Sequence, residues 1–204
     1  TGTVIFEKNA DERREVASIT KLMTALLVLE ALDRDEIALT DSVQISPRAA
    51  AMKGSQALLD ASAVYPLEDL LRTTIMASAN DSAVALSEYI AGSEENFVDR
   101  MNRRAAELGM ANTNYVNCTG YPQSGQYTTA RDVCRLCCEI AKHPRYNQYA
   151  SVWIDKLTHP GGRVTDLTNT NRLVRFYEGC DGYKTGSTDA AKYCLAATAE
   201  KNGM

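Results

Sequence analysis

Apolar positions recur at helical spacing through the middle of the chain and alternate near its two ends. Residues 4–7 read as a short strand that leaves a turn at Thr1-Gly2 and stops at Asn9-Ala10-Asp11. Residues 17–32, ASITKLMTALLVLEAL, are nearly all apolar and read as a buried helix. Residues 41–46 alternate like a strand, and residues 54–62 are loop-like. Pro66-Leu67-Glu68-Asp69 opens a helix with Pro and two acids in its first turn, and Leu67, Leu70, Leu71, Thr74 and Ile75 form its stripe. Residues 81–91 give another helix, closed by Gly92. Ser93-Glu94-Glu95 begins the next, with Phe97, Met101, Ala105 and Leu108 at helical spacing and Gly109 as the stop. Residues 112–127, rich in Asn, Thr, Gly and Pro, read as an irregular surface loop. A helix led in by Thr129 runs to Ala141 and ends before Pro144. Residues 158–165 read as a turn-linked extended piece, and residues 182–186 and 193–199 as strands joined near Asp189-Ala190.

Strands at both ends and helices between them predict an α+β domain. Its antiparallel sheet is formed from both chain ends with flanking helices, and a mainly helical subdomain is inserted at about residues 47–157 of the single domain 1–204. The 204 residues suffice for one core. Net charge is −4, and charges of both signs are interleaved, as at residues 11–15. No basic face marks a nucleic-acid binder, so no nucleic-acid partner is expected. The apolar run at residues 22–32 is too short to span a membrane. No secretory leader is visible, because Thr1 enters strand-like sequence directly; the chain is either cytosolic or processed. Six cysteines leave the compartment open: Cys134, Cys137 and Cys138 crowd one segment, and Cys118, Cys180 and Cys194 are scattered. Cys134-Arg135-Leu136-Cys137 has C-x-x-C spacing, but His143 and His159 are the only histidines. These cysteines read as small buried residues on an apolar helix face, and no metal or other cofactor is expected.

The chemistry begins at Ser18 and Lys21. Positions i and i+3 share a helix face, so Lys21 projects beside Ser18. A serine hydroxyl needs a base within reach to act as a nucleophile. Lysine serves only if its ammonium form is disfavoured, by burial or by another positive charge. Lowering a lysine pKa by about three costs roughly 4 kcal/mol, which packing must supply. Ser-x-x-Lys alone is common, with Ser as a helix cap and Lys solvated. Here it is followed in order by Ser78-Ala79-Asn80, between two helices, and by Lys184-Thr185-Gly186 on a strand. The ordered triplet Ser-x-x-Lys, Ser-x-Asn, Lys-Thr-Gly marks β-lactamases and penicillin-binding proteins.

With the flanking text, including GSQALL, YTTARD and DGYKTGSTDAAKYCLAATAEKNGM, the chain resembles the low-molecular-mass penicillin-binding proteins, the serine-type D-Ala-D-Ala carboxypeptidase family. The resemblance covers almost the whole chain. It implies the β-lactamase-like fold, with Ser18 as nucleophile and Lys21 as its proton acceptor. It implies that Ser78 relays a proton to the leaving D-alanine and that Asn80 bonds the substrate amide and Lys21. Lys184 and Thr185 would face the substrate carboxylate, with Gly186 leaving room for substrate backbone. The backbone N–H groups of Ser18 and Ser187 would form the oxyanion hole. The implied partners are peptidoglycan stem peptides ending in D-Ala-D-Ala and β-lactam antibiotics. The implied location is extracytoplasmic, at the outer face of the bacterial cytoplasmic membrane or in the periplasm.

Three departures stand out: Ala79 and Lys192 where relatives usually have Gly, and Gln126 where His is common. The resemblance also implies further strands beyond both ends and, in most members, a second β-rich domain and a membrane-anchoring amphipathic helix. A chain without them is expected to expose sheet edges and to self-associate through them. No Glu-x-x-Leu-Asn lies between the second and third motifs, so slow deacylation is expected rather than β-lactamase turnover. A D,D-endopeptidase or a penicillin-sensing module that acylates without turnover would use the same residues.

Overall fold

The computed structural model describes residues 2–201. A single 3-10 turn at Ala17–Thr20 runs directly into α1 (Lys21–Asp33). α1 is apolar on every side and is buried accordingly: Leu22, Met23, Leu26 and Leu29 are at most 1% exposed. Full burial of each such side chain contributes about 2 kcal/mol. Around α1 pack α3 (Leu67–Met76), α4 (Asn80–Ala91), α5 (Glu94–Glu107), α6 (Ala130–Ile140) and α7 (Pro144–Ala150); the short α2 (Pro47–Ala50) packs on α4. The predicted caps are present. Ser93 Oγ accepts from Asn96 N at 3.2 Å, Thr129 Oγ1 accepts from Asp132 N at 3.1 Å, and Gly92 closes α4 at φ +77°. The α3 stripe of Leu67, Leu70, Leu71, Thr74 and Ile75 is buried as its spacing requires.

Three antiparallel strand pairs complete the fold. β1 (Ser42–Gln44) pairs with β2 (Val64–Pro66), and β3 (Ile154–Thr158) pairs with β4 (Val164–Thr168). The third pair, β5 (Cys180–Thr188) and β6 (Lys192–Ala199), sets Thr185 opposite Leu195 and Ser187 opposite Tyr193. One apolar cluster joins α1, the helices around it, Tyr183 of β5 and Ala196 of β6. A short α8 (Leu173–Phe176) precedes β5.

The structure differs from the sequence expectations in four places. Residues 4–7 form no strand. Ile5 and Phe6 are 97% and 83% exposed, and the described N-terminal segment pairs only at Arg14 with Thr128. An extended segment without a neighbouring ladder gains too little to offset its ordering cost. Among the described residues the main sheet is therefore the C-terminal hairpin. The turn expected at Thr1-Gly2 begins outside the described residues. Residues 112–127 are not a surface loop throughout, because Tyr115, Cys118 and Thr119 are buried. Cys134 and Cys138 are exposed rather than buried, since α6 turns Asp132, Leu136 and Ile140 inward. α7 and α8 were not expected; α7 starts at the Pro144 that ends the preceding helix.

Candidate active site

The 3-10 turn, the α3–α4 junction and β5 meet at a cleft of about 550 Å³. Ser18, Ser78, Thr185, Gly186 and Ser187 line it, with Ser55, Thr170 and Arg172. Lys21, Asn80 and Lys184 lie directly behind this surface, at 1%, 5% and 1% exposure. The eight residues expected at the site thus converge, three of them one layer deeper than the rest.

Local backbone geometry brings them together. Ala17 and Ser78 are non-glycine residues at φ +47° and +61°, strained conformations that turn the chain just before Ser18 and before Asn80 at the start of α4. Strand alternation sends Thr185 and Ser187 of β5 to one face and Lys184 and Gly186 to the other. Gly186 lies against the turn: a Cβ there would stand 2.6 Å from the Val16 carbonyl oxygen and 2.9 Å from Ser18 N. Its bare Cα lets β5 pass beside the Ser18 amide. The room it leaves is filled by this chain's own backbone, where the sequence suggested substrate backbone.

Lys21 Nζ lies 3.0 Å from Ser18 Oγ, 2.6 Å from Asn80 Oδ1 and 2.6 Å from the Thr119 carbonyl oxygen. Burial pushes its pKa down to about 7, opposed by the Cys118 and Asp81 side chains. Asn80 Nδ2 donates to the Lys53 carbonyl at 2.6 Å, and Asn80 N to the Ser55 carbonyl at 2.7 Å. The loop before β2 is thereby tied to α4. Asp81 reinforces the tie, accepting from the backbone N–H groups of Ala57 and Leu59 at 2.9 and 3.1 Å. Lys184 Nζ donates to its neighbour's carbonyl, Thr185 O, at 2.9 Å; burial first and then Lys21 hold its pKa well below the ordinary lysine value. Thr185 Oγ1 donates to Thr170 Oγ1 at 2.7 Å.

Sequence reasoning missed Asn117, Thr119, Thr170 and Arg172. Asn117-Cys118-Thr119-Gly120 carried a usable signal, since Asn followed three positions later by Gly is turn chemistry. Nothing local marked Arg172, which is exposed at the start of α8 with its guanidinium 5.7 Å from the Phe176 ring centroid. Among the described residues no three His, Cys, Asp or Glu side chains cluster as metal ligands. Nor is any described helix long and apolar enough to cross a membrane.

Comparison with known proteins gives the chain's family. A family model described as D-alanyl-D-alanine carboxypeptidase matches residues 1–204. The chain is 43% identical over its whole length to D-alanyl-D-alanine carboxypeptidase DacF of Bacillus subtilis, covering 52% of that protein. It is 35% identical over 198 residues, 96% of the chain, to an Escherichia coli D-alanyl-D-alanine endopeptidase, covering 62% of it. The crystal structure of D-alanyl-D-alanine carboxypeptidase DacD from Francisella tularensis superposes at a TM-score of 0.95 and 30% identity, over 100% of this chain and 61% of that one. The chain spans about half the length of the curated carboxypeptidases it matches. With its whole length matched, its fold shared and the three motifs gathered on one cleft, the chain belongs to the D-alanyl-D-alanine carboxypeptidase family.

Proposed function

We propose that this chain catalyses serine-type D-Ala-D-Ala carboxypeptidase chemistry, removing the terminal D-alanine of peptidoglycan stem pentapeptides through an acyl-enzyme on Ser18. The observation that carries the reading is a buried lysine amine, with a pKa of about 7, 3.0 Å from a cleft serine hydroxyl. In the neutral form, Lys21 Nζ takes the Ser18 proton as Oγ attacks the penultimate D-Ala carbonyl carbon. The oxyanion that forms is met by the Ser18 and Ser187 backbone N–H groups, each such donor contributing about 3 kcal/mol in the transition state. The C–N bond then breaks, and the proton reaches the leaving nitrogen through Ser78. Asn80 holds Lys21 and the substrate amide. Water attacks the ester, releases the shortened peptide and restores Ser18. The terminal carboxylate is received by the Thr185 and Thr170 hydroxyls, with Arg172 supplying charge from the cleft rim; Lys184, buried on the opposite face of β5, supports that strand from behind rather than facing the carboxylate.

β-Lactams acylate Ser18 by the same route. Stem-peptide substrates call for a site outside the cytoplasmic membrane. Among the described residues β6 pairs only with β5, and its other edge is the surface proposed for self-association, read by sedimentation velocity. The endopeptidase relative favours cleavage of peptide cross-links as the second reading. Intact mass after incubation with benzylpenicillin tests the nucleophile: the parent gains one penicilloyl mass and Ser18→Ala gains none. An unmodified, folded parent refutes the reading. Free D-alanine released from a D-Ala-D-Ala peptide then separates the carboxypeptidase from the endopeptidase and from a sensor that only acylates.

A further inference from the structure

A neutral amine has two N–H bonds and one lone pair, and Lys21 Nζ has three oxygens around it. Two of them can only accept. Thr119 presents a backbone carbonyl, and the Asn80 amide is oriented by its Nδ2 donating to the Lys53 carbonyl. Both N–H bonds are taken by these oxygens at 2.6 Å, which leaves the lone pair facing Ser18 Oγ at 3.0 Å. Without such acceptors the amine would rotate among three staggered positions, and only one of them aims the lone pair at the hydroxyl.

The Thr119 carbonyl is itself held by Asn117. Asn117 Oδ1 accepts from Thr119 N at 3.2 Å, Thr119 Oγ1 at 3.2 Å and Gly120 N at 2.8 Å. Gln126 Oε1 anchors the turn from behind, accepting from Val116 N and Asn117 N at 3.1 and 3.2 Å. Glu94 accepts from Cys118 N at 2.9 Å, and the Cys118 carbonyl accepts from Thr24 Oγ1 at 2.6 Å. Gly120, at φ +78°, lies so close to the nucleophile's turn that a Cβ would stand 1.9 Å from the Ala17 carbonyl oxygen. The turn is wedged between α1 and Ser18, and among the described residues the Asn117 side chain bonds neither Ser18 nor Lys21.

We propose that Asn117 is a positioning residue for acylation: its side-chain oxygen fixes the 117–120 turn so that the Thr119 carbonyl takes one N–H of Lys21 and aims the lone pair at Ser18. This rests on the function proposed above. Asp81 and Cys118 face Lys21 and favour its charged form, the buried Lys184 is the neighbouring lysine, and Glu94 stands behind Cys118. A carbonyl acceptor stabilises an ammonium more than an amine, so losing it favours the neutral form. Displacing the turn should therefore lower the maximal acylation rate while moving its acid limb to lower pH. Mere loosening of the fold would reduce active protein and leave the midpoint in place.

The experiment is the pH dependence of benzylpenicillin acylation on the intact protein, with Asn117→Ala and Asn117→Asp. Asn117→Ala should lower the plateau about tenfold or more, with a midpoint below that of wild type. Asn117→Asp retains the accepting oxygen; it should recover most of the plateau, with a midpoint raised by its negative charge. If Asn117→Ala does not fold, Asn117→Ser is read in its place. A folded variant with a plateau within about twofold of wild type, or a lowered plateau with an unmoved midpoint, overturns the proposal. A wild type that is not acylated overturns the function itself and this inference with it; an acylated wild type with unaffected variants overturns the inference alone.

Discussion

On one wall of the cleft, Ser18, Lys21, Ser78 and Asn80 stand on helix starts and turns that the apolar core holds from behind. On the other, Thr185, Gly186 and Ser187 stand on a two-stranded hairpin whose far strand leaves Tyr193 at 96% and Leu195 at 55% exposure. The helical wall suits proton transfer, because burial disfavours the ammonium form of Lys21 and brings its pKa down to about 7. The hairpin wall suits binding, because a strand can offer hydroxyls and amides to a peptide at small cost in burial. The two buried lysines show the contrast. Lys21 has three oxygens around its Nζ, whereas Lys184 donates to one backbone carbonyl. The walls join where Gly186 meets Val16 and Ser18.

The most damaging way to break this arrangement is to pry the walls apart. Gly186→Val places a side chain where Val16 O and Ser18 N already stand, and should lower the benzylpenicillin acylation rate by about a hundredfold or more through the displaced oxyanion donor. Intact-mass kinetics would measure it, with circular dichroism to confirm the fold. An acylation rate near wild type would mean that the walls meet elsewhere.

A milder change separates stability from activity. Lys184→Met removes a buried amine that has no carboxylate partner among the described residues, and should stabilise the protein by ~2 kcal/mol at pH 7 while slowing acylation. The sign follows from linkage. The folded pKa of Lys184 lies below the unfolded one, so between them the unfolded chain binds more protons and wild-type stability rises with pH. The advantage of the methionine variant should shrink as pH approaches about 10.4, the unfolded lysine value. Urea unfolding at neutral and alkaline pH would check it; a variant less stable than wild type at pH 7 would show that Lys184 is well solvated or paired.

The smallest expected effect lies at the rim. Arg172→Gln should raise KM for a D-Ala-D-Ala peptide about threefold at low salt, with kcat unchanged and the difference fading as salt is added. Steady-state D-alanine release at two ionic strengths would show it. Equal KM values would leave carboxylate recognition to the Thr185 and Thr170 hydroxyls.

Much of the fold is legible in the sequence because the signals are local. α1 announces itself by its apolar run, α4 by Gly92, α5 by Ser93, and the β5–β6 hairpin by two alternating segments around Asp189-Ala190. The three motifs also stand out in order along the chain, so Ser18, Lys21, Ser78, Asn80, Lys184, Thr185 and Gly186 can be singled out by spacing and residue type, whereas Ser187 enters only through the family resemblance. Residues 4–7 mislead because alternation specifies a strand only if a neighbour is there to pair with it. Cys134 and Cys138 mislead because the inward stripe of α6 is set by Leu136 and Ile140.

The sequence by itself determined the identity of the reactive groups and the period of the elements that carry them, since both depend on residues a few positions apart. Tertiary structure alone decided the depth of each group and the direction in which it points. Lys184 faces inward while Thr185 faces the cleft, Gly186 accommodates Ser18, and a turn about a hundred residues from Lys21 aims its amine. Desolvation and hydrogen-bond direction are sums over neighbours from distant parts of the chain, and those neighbours exist only once it has folded.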